Sequence, residues 1–168
     1  GYSLNTSGDI TIQPTGNDWS SNQIHEHWRF RYINILGTPR NFTFGKPAAS
    51  ISATPISSMW WDAISATGSV KFYASGQFNI FESVSTTLGS SGSTPRNTGV
   101  LIKSADRMQL SANKNLTTSG SDITLWADAD NSGAGAIYLD GTNAVSSNGG
   151  NITFGGGLDD GGGGDLSG

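Results

Sequence analysis

The sequence predicts an all-β fold of one kind, a β-solenoid in the form of a right-handed parallel β-helix, with longer aromatic-rich loops in its N-terminal half. Three observations predict it. The first is an internal repeat. Leu116-Thr117-Thr118-Ser119-Gly120-Ser121-Asp122-Ile123-Thr124-Leu125 recurs 29 residues on as Val145-Ser146-Ser147-Asn148-Gly149-Gly150-Asn151-Ile152-Thr153-Phe154. In each copy a lone apolar residue is followed by a small polar turn and then by an apolar-Thr-apolar triplet introduced by Asp or Asn. The second is a series of apolar pairs two residues apart: Val70/Phe72, Phe78/Ile80, Val100/Ile102, Met108/Leu110, Ile123/Leu125, Ile137/Leu139 and Ile152/Phe154. Alternation with period two puts each pair on one face of a short strand. The third is composition. Charged residues are 13% against roughly 25% in ordinary soluble domains, and Gly is 24 of 168. Gly and Asn take the positive φ that tight corners need, and Thr fits a pleated surface.

An apolar pair on a three-residue strand cannot bury itself. Stacking strand on matching strand about 4.8 Å apart pairs the backbone groups and lines an interior with Ile, Leu, Val and Phe. The spacing of the pairs suits strands on successive sides of a coil of about 20 residues.

Taken in order, the first rung stands at Leu4-Asn5-Thr6-Ser7-Gly8-Asp9-Ile10-Thr11-Ile12, one turn residue shorter than the Leu116 unit, and Pro14 and Gly16 end it. Residues 17–66 change in character. Trp19, Trp28, Phe30, Tyr32, Phe42, Phe44, Trp60 and Trp61 place eight of the 16 aromatics here. Trp28-Arg29-Phe30-Arg31-Tyr32 alternates like a strand with one buried face. Phe42-Thr43-Phe44 is a degenerate rung, and Ile56–Ile64 is the one short helix expected. Rungs resume from Thr67, with an exposed loop over Leu88–Asn97 rich in Gly, Ser, Thr and Pro. Residues 1–157 are expected to form one domain and 158–168 a Gly-rich tail or linker.

Net charge −4 and a pI near 4.8 argue against nucleic acid, whose phosphates demand a basic stripe. With no cysteine there is no disulfide framework or thiolate metal site. No apolar run approaches the roughly 20 residues of a membrane helix, so no membrane insertion is expected. Gly1 stands first without a signal peptide, so the chain is expected to be a processed or excised piece.

Gly8-Asp9-Ile10-Thr11-Ile12, Ser119-Gly120-Ser121-Asp122-Ile123-Thr124-Leu125 with its continuation to Asp130, and Gly149-Gly150-Asn151-Ile152-Thr153-Phe154-Gly155-Gly156-Gly157 resemble the repeats of filamentous-haemagglutinin-like bacterial surface proteins. The match is good over Leu116–Gly157, fair over Leu4–Ile12 and Gly68–Leu110, and weak across Asn17–Ala66. That resemblance implies long secreted β-helical fibres acting as adhesins or extracellular scaffolds on a bacterial surface. The family's amino-terminal secretion motif is not visible.

Candidate chemistry is sparse. Asp128-Ala129-Asp130-Asn131-Ser132-Gly133 carries oxygen donors at alternate positions like the first half of a calcium loop, making Asp128, Asp130 and Ser132 candidate ligands. Leu139 stands where the bidentate Glu would be, so a plain solvated turn is the first reading and no cofactor is expected. Asp159, Asp160 and Asp165 in the tail are a further candidate for a cation. His25 and His27, flanking Glu26, share a strand face at a chelating spacing without a third ligand in view. Trp19, Trp28, Tyr32, Trp60 and Trp61 offer a sugar-stacking platform, with core packing under the long loops as the first reading. Asn5, Asn41, Asn115 and Asn151 begin Asn-x-Ser/Thr sequons but are read as rung positions. Glu26 and Glu82 are the only glutamates. No acid pair is repeated on one face outside Asp128 and Asp130, and no nucleophile or phosphate-loop motif occurs, so catalysis is not expected.

The function expected is therefore structural: a segment of a cell-surface or extracellular fibre, self-associating head to tail through uncapped ends or continuing into neighbouring repeats. A carbohydrate-binding module using the aromatic patch, with a glycan as ligand, is the alternative. A β-helical polysaccharide-cleaving enzyme comes third.

Overall fold

The computed structural model describes residues 2–13, 33–45, 63–74, 76–89, 98–133 and 135–157. Among them every regular element is a β-strand, and every strand pair is parallel. The fold is the β-solenoid that the alternating pairs predict.

Six strands stack into its longest sheet in the order β15-β12-β9-β6-β4-β2: β2 (Ile10–Ile12), β4 (Phe42–Phe44), β6 (Val70–Ala74), β9 (Thr98–Ser104), β12 (Asp122–Ala127) and β15 (Ile152–Gly156). A second sheet stacks β13 (Ile137–Leu139), β10 (Met108–Leu110) and β7 (Phe78–Ile80). A third stacks β14 (Ala144–Ser146), β11 (Asn115–Ser119), β8 (Val84–Gly89) and β5 (Ile64–Ala66). From β5 onward the chain visits the third, first and second sheets in rotation, so each circuit has three sides. β1 (Tyr2–Asn5) and β3 (Ile33–Leu36) pair with each other and precede β2 and β4 as the third-sheet strands precede theirs.

In-register columns make the core. Ile10, Phe42, Val70, Val100, Ile123 and Ile152 form one column of the long sheet, and Ile12, Phe44, Phe72, Ile102, Leu125 and Phe154 the next. Phe72 packs between Phe42 and Phe78, with ring centroids 5.6 and 5.2 Å away in tilted geometry. Stacking that buries these residues removes them from water at about 25 cal/mol per Å² of apolar surface, the main term holding the rungs together.

The third sheet uses a different inward pair. Behind Ile64, Val84, Leu116 and Val145 stand Ala66, Thr86, Thr118 and Ser147, and all four are buried. The three hydroxyls among them are occupied. Thr118 Oγ1 donates to the Ser121 carbonyl at 2.6 Å, with the Ser147 carbonyl at 2.9 Å as an alternative, and Ser147 Oγ donates to the Gly150 carbonyl at 2.6 Å. Thr86 Oγ1 donates to the Gly68 carbonyl and accepts the Leu88 N–H. These bonds satisfy corner carbonyls, and those of Thr118 lie buried inside the coil.

Several expectations change. Leu116–Ser119 belongs to strand β11 rather than being a lone apolar residue before a turn. The turn from Ile64 to Val84 has the expected 20 residues, and that from Val100 to Ile123 has 23. From Ile123 to Ile152 the turn is 29, with the Asp128–Gly133 loop standing before β13. The turns from Ile10 to Phe42 (32), Phe42 to Val70 (28) and Val70 to Val100 (30) are likewise longer than the expected 20. Ile64, expected to end a helix, opens β5, and Leu88 and Gly89, expected in a loop, close β8. Residues 56–62 and 90–97, the Trp28–Tyr32 strand and the 158–168 tail lie outside the described residues.

Candidate functional site

The C-terminal rung is where the rule of burial breaks. Ile152 and Phe154 continue the two core columns in register with Ile123 and Leu125. Yet Ile152 is 41% and Phe154 51% exposed, against 0% and 1% for the residues they pair with. On the adjoining side Leu139, in register with buried Leu110, is 45% exposed. On the third side Val145 is half-buried above Leu116. All three strands of this rung, β13, β14 and β15, stand last in their sheets. Among the described residues nothing pairs with their outer edges, and an unpaired edge beside bare apolar side chains is a template for another strand.

The rung itself is firmly held. Trp126, on the outer face of β12, lays its indole against Gly155, where a Cβ would collide with the ring, and Nε1 donates to the Gly157 carbonyl at 2.9 Å. Gln109 donates to the Asp140 carboxylate, the Arg107 guanidinium lies 5.9 Å from the Tyr138 ring centroid, and Thr142 Oγ1 donates to Asn113 Oδ1 at 2.5 Å. Asn143 Nδ2 donates to the carbonyls of Ser111 (2.6 Å) and Lys114 (3.0 Å). The exposed face is thus a fixed surface.

A second device runs up the corners. At two steps of the long sheet the residue introducing a triplet offers a side-chain oxygen to the backbone N–H of the same position one rung on. Gly99, before Val100, has no side chain to offer. Asn41 Oδ1 accepts from Ser69 N at 2.8 Å, and Asp122 Oδ1 from Asn151 N at 2.6 Å. On the third sheet Ser83 Oγ accepts from Asn115 N at 3.1 Å, and Asn115 Oδ1 from Ala144 N at 3.0 Å. All four point the same way along the coil. The series reaches Asn151, whose side chain is exposed. The Asp or Asn at 9, 41, 122 and 151 is visible in the sequence, but a bond to the neighbouring rung is not.

The candidate calcium ligands come together, but the loop uses them itself. Asp128 Oδ1 accepts from Ser132 Oγ (3.2 Å) and Gly133 N (2.8 Å), and Asp130 Oδ1 from Ser132 N (3.2 Å). Asp128 and Asn131 adopt positive φ of 54° and 56°. Among the described residues no three His, Cys, Asp or Glu side chains cluster. Glu82 is bound to Lys114 Nζ at 2.8 Å. Trp19, Trp28, Tyr32, Trp60, Trp61, His25, Glu26, His27, Asp159, Asp160 and Asp165 all lie outside the described residues.

No family model matches this chain, and neither a curated protein nor a solved structure matches it. The likeness to filamentous-haemagglutinin-like repeats rests on the residues quoted for it.

Proposed function

We propose that this chain is a structural segment of a secreted, cell-surface or extracellular fibre, and that its C-terminal rung is an elongation surface on which further β-rungs stack. One observation carries the reading: Ile152 and Phe154 hold core positions in register with Ile123 and Leu125 but are about half exposed. An apolar end whose parallel edges pair with nothing among the described residues is an unfinished core, and covering it with another rung adds the burial that interior rungs already have. A charge-poor surface of Ser, Thr, Asn and Gly supports a scaffold role over an electrostatic one. Negative-stain electron microscopy with light scattering over a concentration series tests the reading. Elongated particles that lengthen with concentration support it, and a monodisperse monomer throughout contradicts it.

A further inference from the structure

Resting on the reading of the C-terminal rung as an elongation surface, we infer that its partner is the first rung of a second copy of this chain. Ile10-Thr11-Ile12 stacks in register on Ile152-Thr153-Phe154, and Leu4 stacks on Val145. Four features of the molecule converge on this pairing.

The two rungs match in kind. Both carry an apolar-Thr-apolar triplet on the long sheet, preceded by an apolar residue on the adjoining side, and both lie at the ends of their sheets. In the first rung Leu4 and Ile12 are only half-buried and Ile10 is buried.

Corner lengths are compatible. Leu4 to Ile10 spans six residues and Val145 to Ile152 seven. The same six-on-seven mismatch already exists inside the molecule, where Leu4 pairs with Ile35 and Ile10 with Phe42.

The outer column also continues. Thr11 pairs with Thr43, and Thr124 with Thr153, so Thr11 against Thr153 repeats an arrangement present at both ends of the long sheet.

The corner series fixes the direction. Each acceptor takes the N–H of the following rung, so Asn151 Oδ1 takes the position-matched N–H of the next rung, which in a second copy is that of Asp9. Placing two C-terminal rungs face to face would run β15 antiparallel to its own copy, while every strand of the long sheet pairs parallel with its neighbours among the described residues. Head-to-tail contact leaves a fresh C-terminal rung after each addition, so it builds a filament and not a closed dimer.

Disulfide trapping reads the register directly, because the native chain has no cysteine. Paired strands about 4.8 Å apart fall within the Cα separation a disulfide spans, ~4.4–6.8 Å. Copper-catalysed air oxidation of the full-length Thr11→Cys/Thr153→Cys protein is expected to give a ladder of disulfide-linked multimers on a denaturing gel. Each single variant is expected to stay uncrosslinked. Asn5→Cys/Ser146→Cys, one residue beyond Leu4 and Val145, is an independent matched pair and guards against misfolding of the first. Dimers from Thr153→Cys alone would overturn the inference in favour of C-terminal rungs meeting each other, leaving the elongation surface self-associating. Oligomers by sedimentation without crosslinks in either double variant would overturn the register alone. A protein that stays monomeric would mean that the end is closed within one chain, overturning both readings.

Discussion

Phe154 pairs with Leu125 in the long parallel sheet, one rung apart and in the same inward column, yet Phe154 is 51% exposed and Leu125 1%. The difference lies in how many rungs flank each residue. Leu125 has a rung on either side. Phe154 has one only, among the described residues.

Leu125→Ala therefore opens a cavity between two packed rungs and is expected to destabilise the fold by about 2–5 kcal/mol. Phe154→Ala, made at a half-exposed site, is expected to cost much less in dilute protein. Urea unfolding of both variants, followed by circular dichroism, checks the contrast. Equal losses would mean that Phe154 is covered as fully as Leu125.

Asn41 joins three rungs: its Nδ2 donates to Asp9 at 3.0 Å, and its Oδ1 accepts from Ser69 N at 2.8 Å and Ser69 Oγ at 3.2 Å. Asn41→Ala leaves the part-buried Ser69 N–H without its acceptor and is expected to cost about 1–2 kcal/mol. Faster amide exchange at Ser69 is the accompanying sign that the lost bond, and not a general loosening, is responsible.

The fold is legible in the sequence to the extent that inward-facing side chains are apolar. The first and second sheets present two apolar residues per strand, such as Val100/Ile102 and Met108/Leu110, so alternation reveals them. The third sheet presents one apolar residue and one of Ala66, Thr86, Thr118 or Ser147, whose small size and internal hydrogen bonds suit a crowded corner. Composition makes such a residue look like part of a turn, and so Leu116 reads as a lone apolar residue. The exposed end is hidden in the sequence, because Ile152 and Phe154 look like any other core pair. What distinguishes them is that they stand at the end of the stack without the cover that keeps Ile10, at its other end, buried.

Gly155 is the position on which the Trp126 indole rests. Gly155→Ala puts a methyl group into the ring and is expected to displace it, breaking the 2.9 Å bond from Nε1 to the Gly157 carbonyl. The loss expected is about 1–2 kcal/mol with a red shift in tryptophan emission, since the bond and its packing go together. Trp126→Phe, which lacks the indole N–H, should remove that emission component and lose about 1 kcal/mol.

Burial pushes the Tyr73 phenol up to about 12, and its hydroxyl has no hydrogen-bond partner among the described residues. The unfolded chain releases this proton near pH 10. The folded chain holds it to about 12, so stability falls as pH rises through that window. Tyr73→Phe is expected to flatten this alkaline loss and, by removing a buried hydroxyl without a partner, to leave neutral-pH stability unchanged or up to about 1 kcal/mol higher. At the acid end, the Arg40 guanidinium holds the Asp9 carboxyl at about 2. Its small, solvent-screened contribution is present above about pH 4 and is lost as pH falls towards 2. Thermal melts across both pH ranges check the two signs.

On the proposed function, the C-terminal rung is an apolar end completed by another rung. Sedimentation velocity over a concentration series, comparing the native chain with Phe154→Asp, tests it most directly. The native protein's sedimentation coefficient is expected to rise with concentration, while Phe154→Asp stays monomeric with an unchanged circular dichroism spectrum. A native protein that sediments as a monomer at every concentration, or a Phe154→Asp variant that associates as strongly as the native chain, would contradict it.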